Sequence, residues 1–356
     1  MTDRIPVAVL GAGGYIGQHF VRLLADHPLF EVRAMTGGSR SSRQRFGELW
    51  QLSEDPPAGF SERKLTNQGP RALAAAGVRV AFSALPSGTA RATESELIRR
   101  GVHVFSNASD FRQDPGVPLL VPEVNPGHLG LARPGKPLHV TNPNCTATGL
   151  VLALAPLWEP LRPRAVHVAT YQALSGAGLP GVPSLHAMDN VVPWIDGEEE
   201  KVERESRHIL GPVRGGRVHP VTVPFSMHCV RVPVRDGHLE AVTVDARSRP
   251  ARSELLSAWR RFDPLRALEL PTAPHPPLQI RSEPDRPQPF RDRWAGSPPR
   301  ARGMAGVIGR VRWDPPYLRF FVLSHNAVRG GAGGSVLNAE LAAARGLLSP
   351  VRREAR

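Results

Sequence analysis

The chain has 356 residues, 41% of them hydrophobic, which is enough to bury a sizeable core and to form two domains. Its two cysteines are too few for a disulfide framework, and no apolar run approaches the ~18 residues of a membrane span, so a cytoplasmic protein without membrane contact is expected. The net charge of +13 would point to nucleic acid if the basic residues formed a block. They are scattered instead, and all but three of the 45 are arginine, which reads as the codon bias of a GC-rich genome and leaves no nucleic-acid partner expected.

An apolar strand over Pro6–Leu10 runs through Gly11-Ala12-Gly13-Gly14-Tyr15-Ile16-Gly17 into an apolar-periodic helix over Ile16–Leu24. Gly11, Gly14 and Gly17 supply a tight turn, close backbone approach to a pyrophosphate and close packing of helix on strand. With Tyr15 and Ile16 at the helix start they form a candidate dinucleotide site. A GxGxxG reading that starts at Gly11 lacks its last glycine, so the position at the first strand-to-helix turn carries this reading more than the spacing does.

The second strand, Glu31–Met35, ends in Thr36-Gly37-Gly38-Ser39-Arg40-Ser41-Ser42-Arg43. An NAD site places a carboxylate there for the ribose 2′-hydroxyl. Here Ser39, Ser41 and Arg40 or Arg43 offer hydrogen bonds to a 2′-phosphate, so the expected cofactor is NADP. Strands over Arg79–Ser83 and His103–Phe105 follow, each ending in a polar loop. One loop carries Ser87 and Gly88, and the other runs Ser106 to Arg112. Ligands sit beyond the carboxyl ends of such strands, and Arg112 stands out as an anion binder.

The stretch His139 to Gly149, HVTNPNCTATG, then reads as strand, turn and helix start. Cys145 falls where the turn enters the helix, and there unpaired backbone N–H groups and the helix dipole favour a thiolate. Cys145 is therefore a candidate nucleophile. Beyond it, a strand over Ala165–Tyr171, a Gly/Pro-rich loop over Leu174–Val182, a charged helix over Gly197–Leu210 and a β-rich region over Arg217–Ala246 read as a second domain, an antiparallel sheet with helices on one face. Pro271–Arg302 reads as a surface loop. Strands over Gly306–Arg312 and Leu318–Leu323 close that domain, and a last helix over Ser335–Leu347 returns to the first. A thiolate beside NADP attacks an acyl group to make a thioester, which hydride reduces to an aldehyde. No metal site is expected.

Four ordered motifs, Gly11-Ala-Gly-Gly-Tyr-Ile-Gly17, Asn142-Pro-Asn-Cys145-Thr, Tyr171-Gln172-Ala-Leu-Ser-Gly-Ala-Gly178 and Arg231-Val-Pro-Val-Arg-Asp-Gly-His238, resemble the aspartate-β-semialdehyde dehydrogenase family. Ser184-Leu-His-Ala-Met-Asp-Asn190, Gly197-Glu-Glu-Glu-Lys201 and Arg286-Pro-Gln-Pro289 are similar to its archaeal and fungal branch, and the likeness runs over roughly residues 5 to 347. The resemblance implies an α/β fold with two parts. One is a Rossmann-type NADP-binding domain over 1–140, completed by the C-terminal helix region 325–356. The other is an α+β catalytic and dimerisation domain over 141–324, with assembly as a homodimer or homotetramer.

The resemblance also implies roles. Cys145 is the nucleophile, Gln172 orients the acyl intermediate and His238 is the acid/base. Arg231 clamps the substrate carboxylate, Arg112 binds phosphate and Glu205 takes the substrate amino group. Asn326 joins Gly11, Gly14, Tyr15, Ile16, Gly17, Ser39, Arg40, Ser41, Ser87 and Gly88 at the cofactor. The family's usual Glu-x-x-Lys departs here, because Glu205 is followed by His208 where a phosphate-binding lysine stands. Gly13 and Asp110-Phe111 depart as well.

The expected reaction is NADPH-dependent reductive dephosphorylation of 4-aspartyl phosphate to aspartate semialdehyde. The alternatives are a paralogue that reduces another activated acid such as malonyl-CoA, and a nucleotide-binding scaffold without turnover. N-acetylglutamyl-phosphate reductase shares the chemistry, but its usual Asn-Pro-Gly-Cys-Tyr is not matched by Asn144 and Thr146.

Overall fold

The computed structural model describes residues 4–133 and 135–348. The chain divides into two compact units, one from Met1–Leu120, Gly127–Asn142 and Ala332–Arg356, the other from Val121–Pro126 and Pro143–Gly331. Residues 325–331, expected with the C-terminal helix, fall in the second unit. The expected C-terminal region beyond 348 lies outside the described residues.

In the first unit β1 (Ile5–Leu10), β2 (Phe30–Thr36), β3 (Val80–Ser83), β4 (His103–Ser106) and β5 (His139–Thr141) form an all-parallel sheet in the order β2-β1-β3-β4-β5. Such a sheet is covered on both faces, which is why its strands read as unbroken apolar runs. Helices α1 (Tyr15–Leu24) and α2 (Ala90–Arg99) make crossover connections. Phe20, Phe30, Phe82 and Phe105 pack ring against ring in the core, with centroids 5.3–5.9 Å apart.

In the second unit α3 (Cys145–Leu154) and α4 (Glu198–Ile209) accompany a six-stranded sheet. Its strands are β6 (Pro163–Gln172), β9 (Phe225–Arg231), β10 (His238–Ala246), β11 (Leu278–Ile280), β12 (Gly306–Asp314) and β13 (Tyr317–Ser324), in the order β11-β12-β13-β10-β6-β9. The short strands β7 (Val213–Arg214) and β8 (Arg217–Val218) pair with each other.

Two expectations are corrected in this unit, and one helix is added. The sheet is mixed, because β6–β9 and β11–β12 pair in parallel; the long excursion through α4 gives the chain the length that a parallel return requires. Pro271–Arg302 is more than a surface loop, since it contributes the edge strand β11 and the buried Asp292; a three-residue strand between prolines leaves no periodic trace. A helix missing from the sequence reading, α5 (Arg252–Arg261), buries Leu255 and Trp259 at i, i+4, and the carboxylate of Glu254 accepts the Ala251 N–H at 2.7 Å. Trp259 is fully buried, donates its indole N–H to the Ala153 carbonyl at 2.8 Å and meets Phe320 edge-on.

The last helix, α6 (Gly333–Ala344), belongs to the first unit, where it packs on α1 and β4. Its fastenings include a buried His27–Glu340 pair at 2.8 Å, Asn107 Nδ2 donating to Ser335 Oγ at 3.1 Å and Asn338 Nδ2 donating to the Leu120 carbonyl at 3.3 Å. Among the described residues no helix is long and apolar enough to cross a membrane.

The first turn is sterically full. A Cβ on Gly17 would lie 2.1 Å from the Gly11 carbonyl oxygen and 2.7 Å from Ala12 Cα, both backbone atoms that cannot swing away. Gly17→Ala is expected to destabilise the protein by about 1–3 kcal/mol, the usual cost of overpacking, and to lower its Tm. Gly38→Ala, where a Cβ meets nothing within 4 Å, should leave the Tm unchanged. Equal Tm values for the two variants would contradict the packing argument.

Candidate active site

At the carboxyl end of β1 the Gly-rich turn delivers α1, whose N-cap is Gly14 with no side-chain cap. Absence of a capping side chain leaves this helix start open to an anion, and the close approach of Gly17 to Gly11 forms the cradle. After β2, Ser39 and Arg40 are exposed, Ser41 is half-buried and Arg43 is exposed, with no carboxylate between Thr36 and Gln44. Ser87 Oγ lies 2.9 Å from Ser109 Oγ, and the Gly88 N–H donates to the Asp110 carboxylate at 2.9 Å. Asp110, a departure from the expected pattern, therefore holds the loop after β3. Arg112 also lies in this unit, half-buried, with Nη2 donating to the Asn107 carbonyl at 2.8 Å.

The second unit holds the remaining site residues. Strand register sets most of them at one end of its sheet: Gln172 ends β6 opposite Arg231, which ends β9, while His238 begins β10 opposite Ser324, the last residue of β13. Cys145 is the first residue of α3, and its Sγ lies 3.2 Å from His238 Nε2. The helix start is capped by Asn144, whose Oδ1 accepts the N–H groups of Thr146 at 2.8 Å and Ala147 at 3.1 Å. Asn144 is held in turn by two buried carboxylates of α4. Glu198 accepts from its Nδ2 at 2.9 Å, and Glu205 accepts from its backbone N–H at 2.6 Å.

Arg231 is almost fully buried, and its Nη1 donates to the Ala173 carbonyl at 2.7 Å. The N–H of the same residue, Ala173, donates to His238 Nδ1 at 3.0 Å. Gln172 is buried, and among the described residues its Nε2 has no hydrogen-bond acceptor, so a donor stands ready for a ligand. Two glycines make room around these groups: a Cβ on Gly176 would fall 2.7 Å from Arg231 Nη1, and one on Gly330 would fall 2.6 Å from Cys145 Cβ.

The two cysteines differ sharply. Burial in β9 pushes the Cys229 thiol up to about 12, whereas Cys145 is partly exposed. Burial, together with the nearby Arg231 and His325, pushes the His238 imidazole down from 6.5 to about 3. Burial also holds the Glu240 carboxyl well above its ordinary range, with Glu198 adding to the shift. Asn326 Oδ1 accepts the Gly237 N–H and its Nδ2 donates to Ser175 Oγ, both at 2.8 Å, so the amide braces the loops beside His238 and Arg231. His208 is half-buried on α4, three residues after Glu205.

Residues 6–132 match the family described as semialdehyde dehydrogenase, NAD binding domain, and residues 154–329 match its dimerisation domain. An aspartate-semialdehyde dehydrogenase of Archaeoglobus fulgidus is 44% identical over 347 residues, covering 95% of this chain and 98% of the relative. The chain belongs to the aspartate-semialdehyde dehydrogenase family. A malonyl CoA reductase (NADP) of Metallosphaera sedula is also similar, at 36% identity over 98% of this chain and 99% of that one. The crystal structure of aspartate semialdehyde dehydrogenase with NADP from Candida albicans superposes with a TM-score of 0.85 at 32% identity, covering 97% of this chain and all of that one. The archaeal and fungal relatives agree with the branch that the motifs resemble.

Within this family site, Ala173, Gly176, Glu198, Glu240 and Gly330 were not singled out from the sequence. Gly176 lies inside a quoted motif, so its neighbourhood was legible. Ala173 acts only through its backbone, which no side chain announces.

The position of His238 makes stability depend on pH. Its folded pKa lies below the unfolded value, so the stability it contributes is present above pH 6.5 and is lost as pH falls toward 3. Acid titration of unfolding free energy for wild type and His238→Gln should show the two curves converging by roughly 1.4 kcal/mol per pH unit between about pH 6 and 4. Parallel curves would mean that His238 accepts its proton in the folded protein.

Proposed function

We propose that the chain catalyses the NADPH-dependent reductive dephosphorylation of 4-aspartyl phosphate to aspartate semialdehyde, with Cys145 as the nucleophile. The observation that carries this reading is the 3.2 Å contact of Cys145 Sγ with His238 Nε2 at the capped start of α3. It is supported by a buried arginine and a buried unpaired amide donor at the same end of the sheet. The relatives named as aspartate-semialdehyde dehydrogenases, and the Candida albicans structure solved with NADP, supply the substrate and the cofactor of the proposal.

The residues fit the cofactor. The cradle of Gly11, Gly14 and Gly17, with Tyr15 and Ile16 at the open helix start, holds the pyrophosphate. Ser39, Arg40 and Ser41 hold the 2′-phosphate, and the loop of Ser87 and Gly88 lies alongside. When bound, NADPH supplies the hydride that reduces the acyl carbon.

In the chemical sequence, Cys145 Sγ as thiolate attacks the acyl carbon of the aspartyl phosphate. The bond from that carbon to the phosphate oxygen breaks with its electron pair on phosphate, and a thioester remains on Cys145. Gln172 Nε2 donates to the acyl oxygen as negative charge develops there. Arg231 forms a charge-assisted pair with the substrate α-carboxylate, and the Glu205 carboxylate takes the amino group. Arg112 and His208 bind the phosphate. After reduction the carbon–sulfur bond breaks, the aldehyde leaves, and the electron pair returns to Sγ beside His238 Nε2.

A second copy of the chain is the proposed partner. Leu185 (88% exposed), Met188 (69%), Val191 (57%) and Trp194 (69%) form an exposed apolar stretch inside the region that matches the dimerisation domain, and a second subunit would cover it. Activity in the cytoplasm is part of the same proposal.

The malonyl-CoA alternative keeps one specific support, His208 at the position of the family lysine, together with the Metallosphaera sedula relative. The discriminating assay follows NADPH absorbance with aspartate semialdehyde, phosphate and NADP, against malonate semialdehyde, CoA and NADP. Phosphate-dependent turnover is expected in the first mixture only, and turnover confined to the second would make the thioester paralogue the correct reading. Cys145→Ser should abolish turnover and leave NADPH binding within a few-fold of wild type, as read by fluorescence titration. NADPH should be preferred over NADH by about tenfold or more, since one charge-assisted contact is worth roughly 1.5–3 kcal/mol. Equal use of the two would remove Ser39, Arg40 and Ser41 from the site.

A further inference from the structure

Five arginines that are scattered in the sequence line one cavity of the second unit. Arg252, Arg260, Arg281, Arg310 and Arg312 surround about 360 Å³, and Glu283 is the one acid among the described residues of the lining. A cavity of this size admits a small ligand.

Three elements converge to build it. On α5, Arg252, Leu256 and Arg260 follow at i, i+4 and i+8 and so share a face of the helix. The edge strand β11 leads directly into Arg281. Strand β12 carries one extra residue, since Gly309 to Arg312 spans three steps against two from Phe321 to Arg319 on β13. In an unbroken strand Val311 would turn away from the face that its two neighbours share, and the bulge lets Arg310, Val311 and Arg312 all reach the cavity. Arg310 sits in the left-handed region at φ 56°, where such bulges usually place glycine.

The charge of the lining is not offset within the protein. Arg310 Nη1 donates to the Pro284 carbonyl at 3.0 Å, Arg281 Nη2 donates to Gln279 Oε1 at 3.2 Å, and Arg281 Nε lies 3.4 Å from Asp292 Oδ1. These two guanidiniums are therefore held in place. Arg252, Arg260 and Arg312 carry no side-chain hydrogen bond or ion pair among the described residues. Glu283 is already engaged, because it accepts the Ser282 N–H at 3.0 Å and lies 3.9 Å from Arg286. Charged side chains on an edge strand also deter pairing with another chain. That use spreads them into solvent along the edge, and does not require a helix and a bulged strand to turn theirs into one cavity.

We propose that this cavity binds a small polyphosphate anion, a molecule with two or more adjacent phosphate groups. Each guanidinium presents a planar pair of donors that matches phosphate oxygens, and several such groups around one cavity favour several phosphates over one. Leu256, Ile280 and Val311 supply an apolar part of the lining, against which the body of a nucleoside polyphosphate packs. Inorganic polyphosphate offers the same charge without that body. The cavity lies at the β11 edge of the six-stranded sheet, whereas Gln172 and Arg231 end the strands β6 and β9 at the opposite edge. It is therefore separate from the proposed reaction site, and the inference holds whichever acyl group that site accepts.

The test is isothermal titration calorimetry of the full chain saturated with NADP, with inorganic tripolyphosphate, ATP and inorganic phosphate as titrants. Tripolyphosphate should bind about tenfold tighter than phosphate or more, the scale of one added charge-assisted contact, and its affinity should fall as salt is raised. Arg260→Gln combined with Arg312→Gln should weaken tripolyphosphate binding by about tenfold or more on the same scale. Arg214→Gln combined with Arg217→Gln removes the same charge from the exposed β7–β8 pair and should bind as wild type. All four replaced side chains belong to exposed residues, so both variants should keep the wild-type Tm.

Tighter binding of ATP than of tripolyphosphate would assign the site to nucleotides, and equal binding would assign it to inorganic polyphosphate. No binding, binding that survives Arg260→Gln with Arg312→Gln, or equal weakening in the two double variants would overturn the proposal. Failure of aspartyl phosphate as substrate would leave these titrations unchanged.

Discussion

The N-terminus of α3 is fixed by one side chain. Asn144 caps the helix through Oδ1, is gripped through Nδ2 by Glu198 and through its backbone N–H by Glu205, and so determines where the next residue, Cys145, must lie. Capping by Ser, Thr, Asn or Asp is worth about 1 kcal/mol in an ordinary helix. Here the larger consequence is placement, because a displacement of Asn144 carries the sulfur away from His238. Two buried carboxylates beside a nucleophile would oppose a thiolate if they were bare. Both accept hydrogen bonds from Asn144, and burial raises the carboxyl of a third buried acid, Glu240, well above its ordinary range.

Sheet register supplies the other half of the site. Because Gln172 pairs with Arg231 and His238 with Ser324, the donor, the clamp and the imidazole stand at one end of a rigid sheet instead of on independent loops. Ala173, the first residue beyond β6, joins two of them through one peptide residue. Positions fixed by backbone hydrogen bonds tolerate little motion, which is what a reaction between a thiolate and an acyl carbon requires.

What the sequence disclosed follows from which groups act through side chains. Glycines 11, 14 and 17, Cys145 after Asn-Pro-Asn, Gln172, Arg231 and His238 all carry their chemistry in residue type and order, and the parallel sheet of the first unit was legible in its continuous apolar strands. The failures share a physical cause. Ala173 works through an N–H and a C=O, which every residue except proline possesses. The parallel pairing of β9 with β6 is a long-range choice that alternation in either strand does not encode, and β11 is too short to show a period. Helix α5 leaves its trace in Leu255 and Trp259 with Glu254 at its start, a short period set between two more conspicuous β regions.

The central claim is covalent chemistry at Cys145. The most direct measurement is intact-protein mass spectrometry after mixing the enzyme with 4-aspartyl phosphate in the absence of any reduced nucleotide, followed by peptide mapping under acid quench. The account predicts a single aspartyl adduct as a thioester on Cys145, discharged as aldehyde when NADPH is added and absent in Cys145→Ser. An unmodified enzyme that nevertheless turns over, or an adduct on any residue other than Cys145, would contradict it.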